Sequence, residues 1–381
     1  MVWDWTEAAT AALAGDHTAI SRVDVWHSGQ PVYSLAATGG GVTMDSSRAV
    51  RSNLVCDLTD PTGRLSRGDV DDLLNPYDCE IAPWRGVRLD VGDELAPLGV
   101  FRLTGRDVND SGDGLTISLD GQDRAITYQG PMSSALAVSA GTPIEVAIRR
   151  LLSARQPGLS MLSMSTGFTC GPLIYPPTAD VWAEAQKLAE SVGARLFHDR
   201  TGQVVLAMAG PVSDRPVAAY VERGGLLVGV KRTEDSDTIK NVVVAENNDG
   251  SIRVIVEDTD PASPTYARGR YGRHVHVLKN PHFASAAQAL QAATTRLAWE
   301  LGRSETVSFT AVPNPGLDVE EVVTVHRPRA GLINRGVVTA SITIPLKVAD
   351  GTRGIPMQVA CRQSRLAQDG RVLPDLPRVA A

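Results

Sequence analysis

Apolar and polar positions alternate with a period of two through most of the first 130 residues, the spacing of strands with one buried face. Val23–Trp26 and Pro31–Leu35 read as strands. Val50, Ser52, Leu54, Cys56 and Leu58 then alternate against Arg51, Asn53, Val55 and Asp57 in another. Residues 87–125 carry three more: Val87–Val91, Gly99–Thr104 and Leu115–Leu119, the last running into Asp123-Arg124. The same plan returns at 322–365 as Val322–Val325, Gly336–Ile342 and Met357–Cys361, running into Ser364-Arg365. The likeness is one of pattern, with little residue identity. Either the chain holds two similar β-domains, so that a ring of three chains would present six, or two β-rich stretches echo by chance.

Elsewhere the period changes. Trp3 to Ala14 has the spacing of a short amphipathic helix. Thr142-Pro143 opens a second helix, with Ile144, Ala147, Ile148, Leu151 and Leu152 on one face and Gln156-Pro157-Gly158 as its stop. A third begins after Pro176-Pro177, capped by Thr178 or Asp180, with Val181, Ala185, Leu188 and Val192 on one side and Gly193 at its end. Strands Ala194–His198 and Gln203–Ala207 flank the turn Asp199-Arg200-Thr201-Gly202. Pro211–Pro216 reads as a linker, and strands near 226–230, 241–245 and 252–256 follow. A long helix from Ser285 to Leu301 carries Ala287, Leu290, Thr294, Leu297 and Leu301 three and four apart, and is expected to pack on the second β-domain through its leucines.

These elements predict a mainly β chain with a small α/β insert: two related β-barrel or sandwich domains plus a helix-containing accessory domain. The boundaries fall at 1–19 (N-terminal segment), 20–140 (first β-barrel domain), 141–209 (α/β accessory domain), 210–370 (second β-barrel domain with the long helix) and 371–381 (extended tail).

Composition narrows the function. A net charge of -6 with scattered Arg leaves no basic footprint, which argues against direct nucleic-acid binding. The longest apolar runs have strand length, well short of the ~20 residues a membrane-spanning helix needs. The start Met1-Val2-Trp3-Asp4-Trp5 lacks the basic and apolar regions of a signal peptide, so synthesis and folding in a cytoplasm are expected. Cys56, Cys79, Cys170 and Cys361 form no C-x-x-C pair and read as buried small apolar residues. Five of the 37 basic residues are Lys, a bias that points to a GC-rich genome rather than to chemistry.

The chemical constellations come out empty. Gly39-Gly40-Gly41 is followed by neither Gly-Lys-Ser/Thr nor a helix, and reads as a turn between strands. His274, His276 and His282 lack a completing Cys, Asp or Glu at familiar spacing, so a solvent-facing strand edge is expected there. The acidic groups Asp69/Asp71/Asp72 and Asp258/Asp260 sit among turn residues without the Gly and Glu of a calcium loop. There is no Gly-x-Ser-x-Gly elbow. No catalytic, cofactor-binding or metal-binding residue is expected, although a carboxylate pair for glycoside hydrolysis cannot be recognised from sequence.

The helix around Trp182 with the following Gly193–Gly202 resembles the middle domain of tail hub proteins of long-tailed phages and prophages, those of actinobacterial phages in particular. So do the loop with Asp260, Pro261 and Pro264, the Gly269–Gly272 turn, the Ala-rich helix with Leu297, and the strand entering Val312-Pro313-Asn314-Pro315. Trp182, Asp260, Pro261, Pro264, Gly272, Leu297, Asn314 and Pro315 are the motif positions, all structural. The resemblance spans about residues 20 to 365. It implies a homotrimeric, non-enzymatic virion ring at the distal end of the tail, joining the six-fold tail tube to three-fold tip, spike or fibre proteins. Its implied partners are the distal tail protein, the tape measure C-terminus and the fibre or spike proteins. Many such proteins continue into a peptidoglycan hydrolase or fibre region, for which no room is expected here. The alternatives are a hexameric distal tail ring protein and, further off, a tail-associated cell-wall hydrolase.

Overall fold

The computed structural model describes residues 3–363 apart from 61–64, 66, 69–71, 112–113, 159, 211–214, 223–225, 238 and 351–352. The tail at 371–381, Ser364-Arg365 of the second echo, Asp69, Asp71 and most of the Pro211–Pro216 linker lie outside the described residues. Helix α1 (Glu7–Leu13) is capped by Thr6, whose hydroxyl accepts from the Ala9 N–H at 3.2 Å. Eight strands follow: β1 (Thr18–His27), β2 (Gln30–Leu35), β3 (Gly39–Asp45), β4 (Ser52–Thr59), β5 (Cys79–Leu89), β6 (Gly92–Pro97), β7 (Phe101–Ser111) and β8 (Gly114–Asp123).

An α/β unit comes next, made of β9 (Leu136–Val138), α2 (Ile144–Ser153), β10 (Met161–Ser163), β11 (Leu173–Tyr175), α3 (Val181–Glu190), β12 (Ala194–His198) and β13 (Val204–Met208). After β14 (Ala218–Val221) and β15 (Leu227–Glu234), a satellite forms from β16 (Val242–Glu246), β17 (Arg253–Glu257), β18 (Val275–Lys279) and α4 (Ala286–Gly302). The chain then returns through β19 (Glu305–Ala311), β20 (Val322–Arg327), β21 (Leu332–Pro345), the short hairpin β22 (Ala349–Asp350) and β23 (Arg353–Gly354), and β24 (Met357–Gln363).

The echo is a topological repeat. Strands β1, β3, β4, β5, β7 and β8 correspond in chain order to β14, β15, β19, β20, β21 and β24. Each set runs across the sheet in the order second, third, sixth, fifth, fourth, first. The register agrees as well: β7 and β21 bulge at equivalent positions, between Leu103 and Gly105 and between Thr339 and Ser341. The sets differ at one joint, since β1–β5 is antiparallel and β14–β20 parallel. The pattern survives without residue identity because period-two burial constrains only which face is apolar. Ile117, Leu119 and Gly121 of β8 stand where Met357, Val359 and Cys361 of β24 stand.

The two sets are one continuous sheet. The C-terminal half of β21 pairs with β3 from Ser341↔Asp45 to Pro345↔Gly41, and one apolar cluster runs through both sets. Gly39–Gly41 is therefore strand, not turn. A Cβ on Gly40, whose φ is +85°, would fall 2.1 Å from the Val55 carbonyl oxygen, and one on Gly41 2.9 Å from that of Ile344. The glycines permit the close passage of three strands. The reading of 87–125 also omitted β6, a short strand that follows the Asp90-Val91 turn and pairs with β5 along the edge it shares with β7.

The α/β unit and the satellite have their own apolar clusters. In the satellite α4 packs on the sheet β17-β16-β18, and its buried face is Gln288, Ala289, Ala292, Ala293, Leu297 and Leu301. Leu290, expected in that face, is 50 % exposed, because small alanines let the helix lie close on a flank rotated from the leucine stripe. Leu297→Ala is expected to cost about 2 to 5 kcal/mol and Leu290→Ala at most about 0.5, a contrast that thermal unfolding reads directly.

Candidate functional site: a buried charged joint

The first β-set, the α/β unit and the second β-set meet around one carboxylate. Asp318 lies after β19 in the segment that follows Asn314 and Pro315, and is 3 % exposed. Arg51, just before β4, reaches its Oδ1 at 2.6 Å, and Arg200, in the β12–β13 turn, approaches its Oδ2 at 3.6 Å. Arg200 also donates to the Pro315 and Leu317 carbonyls, while the Arg51 guanidinium lies 4.3 Å over the Phe197 ring. Each arginine therefore clamps the segment from a different unit. Burial pushes the Asp318 carboxyl up, but Arg51 and Arg200 more than offset this and hold it well below the usual carboxylate range. Its neighbour Glu321 goes the other way, pushed up to about 7 by burial and then by Asp318, and it accepts from the Asp318 N–H at 2.9 Å.

The α/β unit is anchored beside this joint. Asp123, at the end of β8, accepts from the backbone N–H of Ser52 at 2.8 Å and of Ala125 at 2.9 Å, and burial raises it to about 6. His198 Nδ1 stands 3.9 Å from it, with the imidazole stacked against Tyr128 and Trp182 at ring-centroid distances of 5.7 and 5.5 Å. Trp182 Nε1 donates to the Ala49 carbonyl at 2.8 Å, tying α3 to the loop before β4. Arg124 holds Glu80 with both ends of its guanidinium, at 2.8 and 2.6 Å. Farther along, Arg85 of β5 donates to the Pro345 and Lys347 carbonyls, a second tie between the β-sets.

Burial, then the charge on Arg124, lowers His198 to about 3 from an ordinary 6.5. Between those values the unfolded chain takes up a proton that the folded chain refuses, so stability is lost as pH falls through this window. His198→Phe keeps a ring in the slot and removes that loss. The stability difference between variant and parent is expected to shift in favour of the variant by up to about 1.4 kcal/mol per pH unit between 6.5 and about 3, measured by denaturant unfolding at several pH values.

The remaining motif positions are dispersed, each held by contacts within its own loop or core. Asp260 accepts from the Ala262 N–H, Pro261 and Pro264 are exposed beside it, and neighbouring Asp258 accepts from the Ser263 and Thr265 hydroxyls at 2.6 and 2.8 Å. Gly272 closes the loop at φ +76°, where its carbonyl receives Asn241. Leu297 belongs to the satellite core, and Asn314 turns its own segment by accepting from the Gly316 N–H. Of the eight, Trp182, Asn314 and Pro315 lie at or beside the joint. Arg51, Arg200 and Asp318 were missed as a set because they come together only in the fold. His282, expected on a strand edge, is buried, 3.1 Å from Glu184 of α3 and packed on Tyr175, and so ties the satellite to the α/β unit.

The joint holds a void of about 10 Å³, room for a water at most. A larger open groove of about 440 Å³ lies on the face of β15, β19, β24 and β21. Among the described residues no group of three His, Cys, Asp or Glu is placed to hold a metal, and no helix is long and apolar enough to cross a membrane. All four cysteines are free and buried.

No protein-family model matches the chain, and no curated protein matches it either. Solved structures do. A tail protein from Neisseria meningitidis superposes with a TM-score of 0.62 at 15 % identity, covering 90 % of this chain and 97 % of that one. The 43 kDa tail protein of prophage MuSo2 from Shewanella oneidensis gives 0.60 at 15 % identity, covering 91 % and 99 %. The c3393 protein of E. coli, a type VI secretion component described as structurally similar to the phage T4 tail proteins gp27 and gp5, gives 0.52 at 11 % identity, covering 90 % and 77 %. The chain has the fold of phage tail proteins and of a type VI secretion relative, over nearly its whole length.

Proposed function

We propose that this chain is a structural component of a long-tailed phage or prophage virion, the hub at the distal end of the tail. Three copies form a ring that presents six related β-sets upward to the six-fold tail tube and a three-fold face downward to spike or fibre proteins. The observation that carries this reading is the repeated strand order within one sheet, since a chain that repeats one unit twice is what matching three copies to six requires. Fold likeness to tail proteins supports the setting. The distal tail protein, the tape measure C-terminus and the fibre or spike proteins are the partners of this ring. Its role is assembly geometry rather than catalysis, in keeping with a joint whose charged groups are spent on one another and on backbone carbonyls.

Native mass measurement of the purified protein tests this: a species three times the 40.5 kDa chain is expected. A six-copy ring would instead favour a distal tail ring protein, and a stable monomer that joins no ring in assembled particles would overturn both readings. Release of cell-wall fragments, abolished by replacing a carboxylate pair, would overturn the non-enzymatic part.

A further inference from the structure

Among the described residues, the joint between the two β-sets leaves a matching pair of strand edges without a ladder partner. Within the chain, the C-terminal half of β21 lies along β3, with Thr343 opposite Thr43 and their hydroxyls 3.0 Å apart. The equivalent of β21 is β7 and the equivalent of β3 is β15. Their registers with neighbouring strands fix the correspondence residue by residue: Ser341, Ile342 and Thr343 match Gly105, Arg106 and Asp107, while Val42, Thr43 and Met44 match Arg232, Thr233 and Glu234. Strand β15 ends the sheet path, and β7 pairs with β5 only at Phe101 and Arg102. Among the described residues, no backbone hydrogen bond outside the β7–β8 and β15–β19 ladders occupies β7 from Gly105 onward or β15 from Gly229 onward. Such open edges are pairing templates.

We propose that β7 of one subunit pairs antiparallel with β15 of the next, in the register that β21 and β3 use within a chain. This rests on the ring proposed above and specifies its contact. A second copy of the chain is the occupant because the two edges reproduce the two sides of a joint the chain already makes, and because one edge lies in each β-set, so the contact is head-to-tail and propagates into a ring. In this register Gly105, Arg106, Asp107, Val108 and Asn109 face Asp235, Glu234, Thr233, Arg232 and Lys231 respectively. Asp107 stands opposite Thr233, the counterpart of the Thr343–Thr43 contact, and is diagonal to Lys231 on one side and to Asp235 on the other. Asp110 is diagonal to Arg232, which within its own chain pairs with Glu234 and Glu305. Each exposed acid of β7 thus shares a face of the sheet with a cation of β15, Asp107 with Lys231 on one face and Asp110 with Arg232 on the other.

The test uses the full chain carrying Asp107→Cys and Thr233→Cys. The hydroxyl contact at the equivalent internal pair places these side chains at disulfide distance. Mild oxidation is expected to give a reducible covalent ring, with neither single variant linking. The internal pair Thr43→Cys/Thr343→Cys serves as the control and should close within one chain without linking chains together. As an independent readout, Asp107→Lys is expected to weaken assembly about tenfold or more, with Lys231→Glu restoring it in the double variant. A trimer by native mass in which the Asp107/Thr233 pair stays unlinked while Asp107→Cys/Asp235→Cys links would overturn the register and leave the hub reading standing. Absence of any trimer would overturn the pairing together with the ring.

Discussion

Replacing Asp318 with Ala is expected to cost about 3 to 5 kcal/mol, the range for removing one partner of a buried ion pair. The cost comes less from the lost attraction than from what is left behind. Arg51 and Arg200 are both buried, and among the described residues Asp318 is the carboxylate with which each makes an ion pair. Without it two buried guanidiniums lose the carboxylate they share, in a space that admits no more than a water. Asp318→Asn should be milder, because the amide oxygen still accepts from Arg51, but it too removes the counter-charge. Against a total of about 5 to 15 kcal/mol for a typical domain, the Ala variant is expected to unfold near or below ambient conditions for assembly, read as a large fall in melting temperature. Asp93→Ala, which breaks an exposed pair with Arg88, is expected to leave the melting temperature unchanged. Equal effects from the two substitutions would mean that the joint is hydrated and that its charges are not what holds the units together.

The parts of the fold that were legible in the sequence are those set by local rules. Helices α2 and α3 begin and end where Pro143, Asp180 and Gly193 place them, because caps and stops act within a few residues. The β12–β13 hairpin is fixed by its turn in the same way. The strands of the echo were legible because one apolar face repeats every second residue. What escaped the sequence depends on partners distant along the chain. Gly39–Gly41 has the local signature of a turn and becomes strand because β4 and β21 crowd it from both sides. Leu290 satisfies a helical stripe yet faces outward, since the orientation of α4 is chosen by the sheet beneath it. The Arg51–Asp318–Arg200 cluster joins residues up to 267 positions apart, and no spacing rule reaches so far. Arg51 sits on the polar side of the alternation, where an exposed side chain is the expectation, and only the units that close over it bury it.

Trp182→Ala is expected to be the other severe substitution, at about 3 to 5 kcal/mol, because the indole is among the largest fully buried side chains of the molecule. Its ring stacks on His198 and Tyr128, and its N–H satisfies the Ala49 carbonyl in the loop that precedes β4. Truncation therefore empties the centre of the α/β core and weakens its attachment to the first β-set at the same time. Trp182→Phe separates the two effects: it keeps an aromatic ring in the stack and loses the hydrogen bond, with the Gln186 amide still donating to Ala49 at 3.0 Å. A cost of about 0.5 to 1.5 kcal/mol is expected for that variant from the lost bond, with a further share from the smaller ring. Limited proteolysis should show the distinction as well as thermal unfolding does. In the Ala variant, cleavage is expected around 129–135, where the chain enters the α/β unit, at protease levels that leave the Phe variant and the parent intact. If the two variants prove equally stable, the ring stack contributes little, and the Ala49 hydrogen bond is what fixes α3 to the sheet.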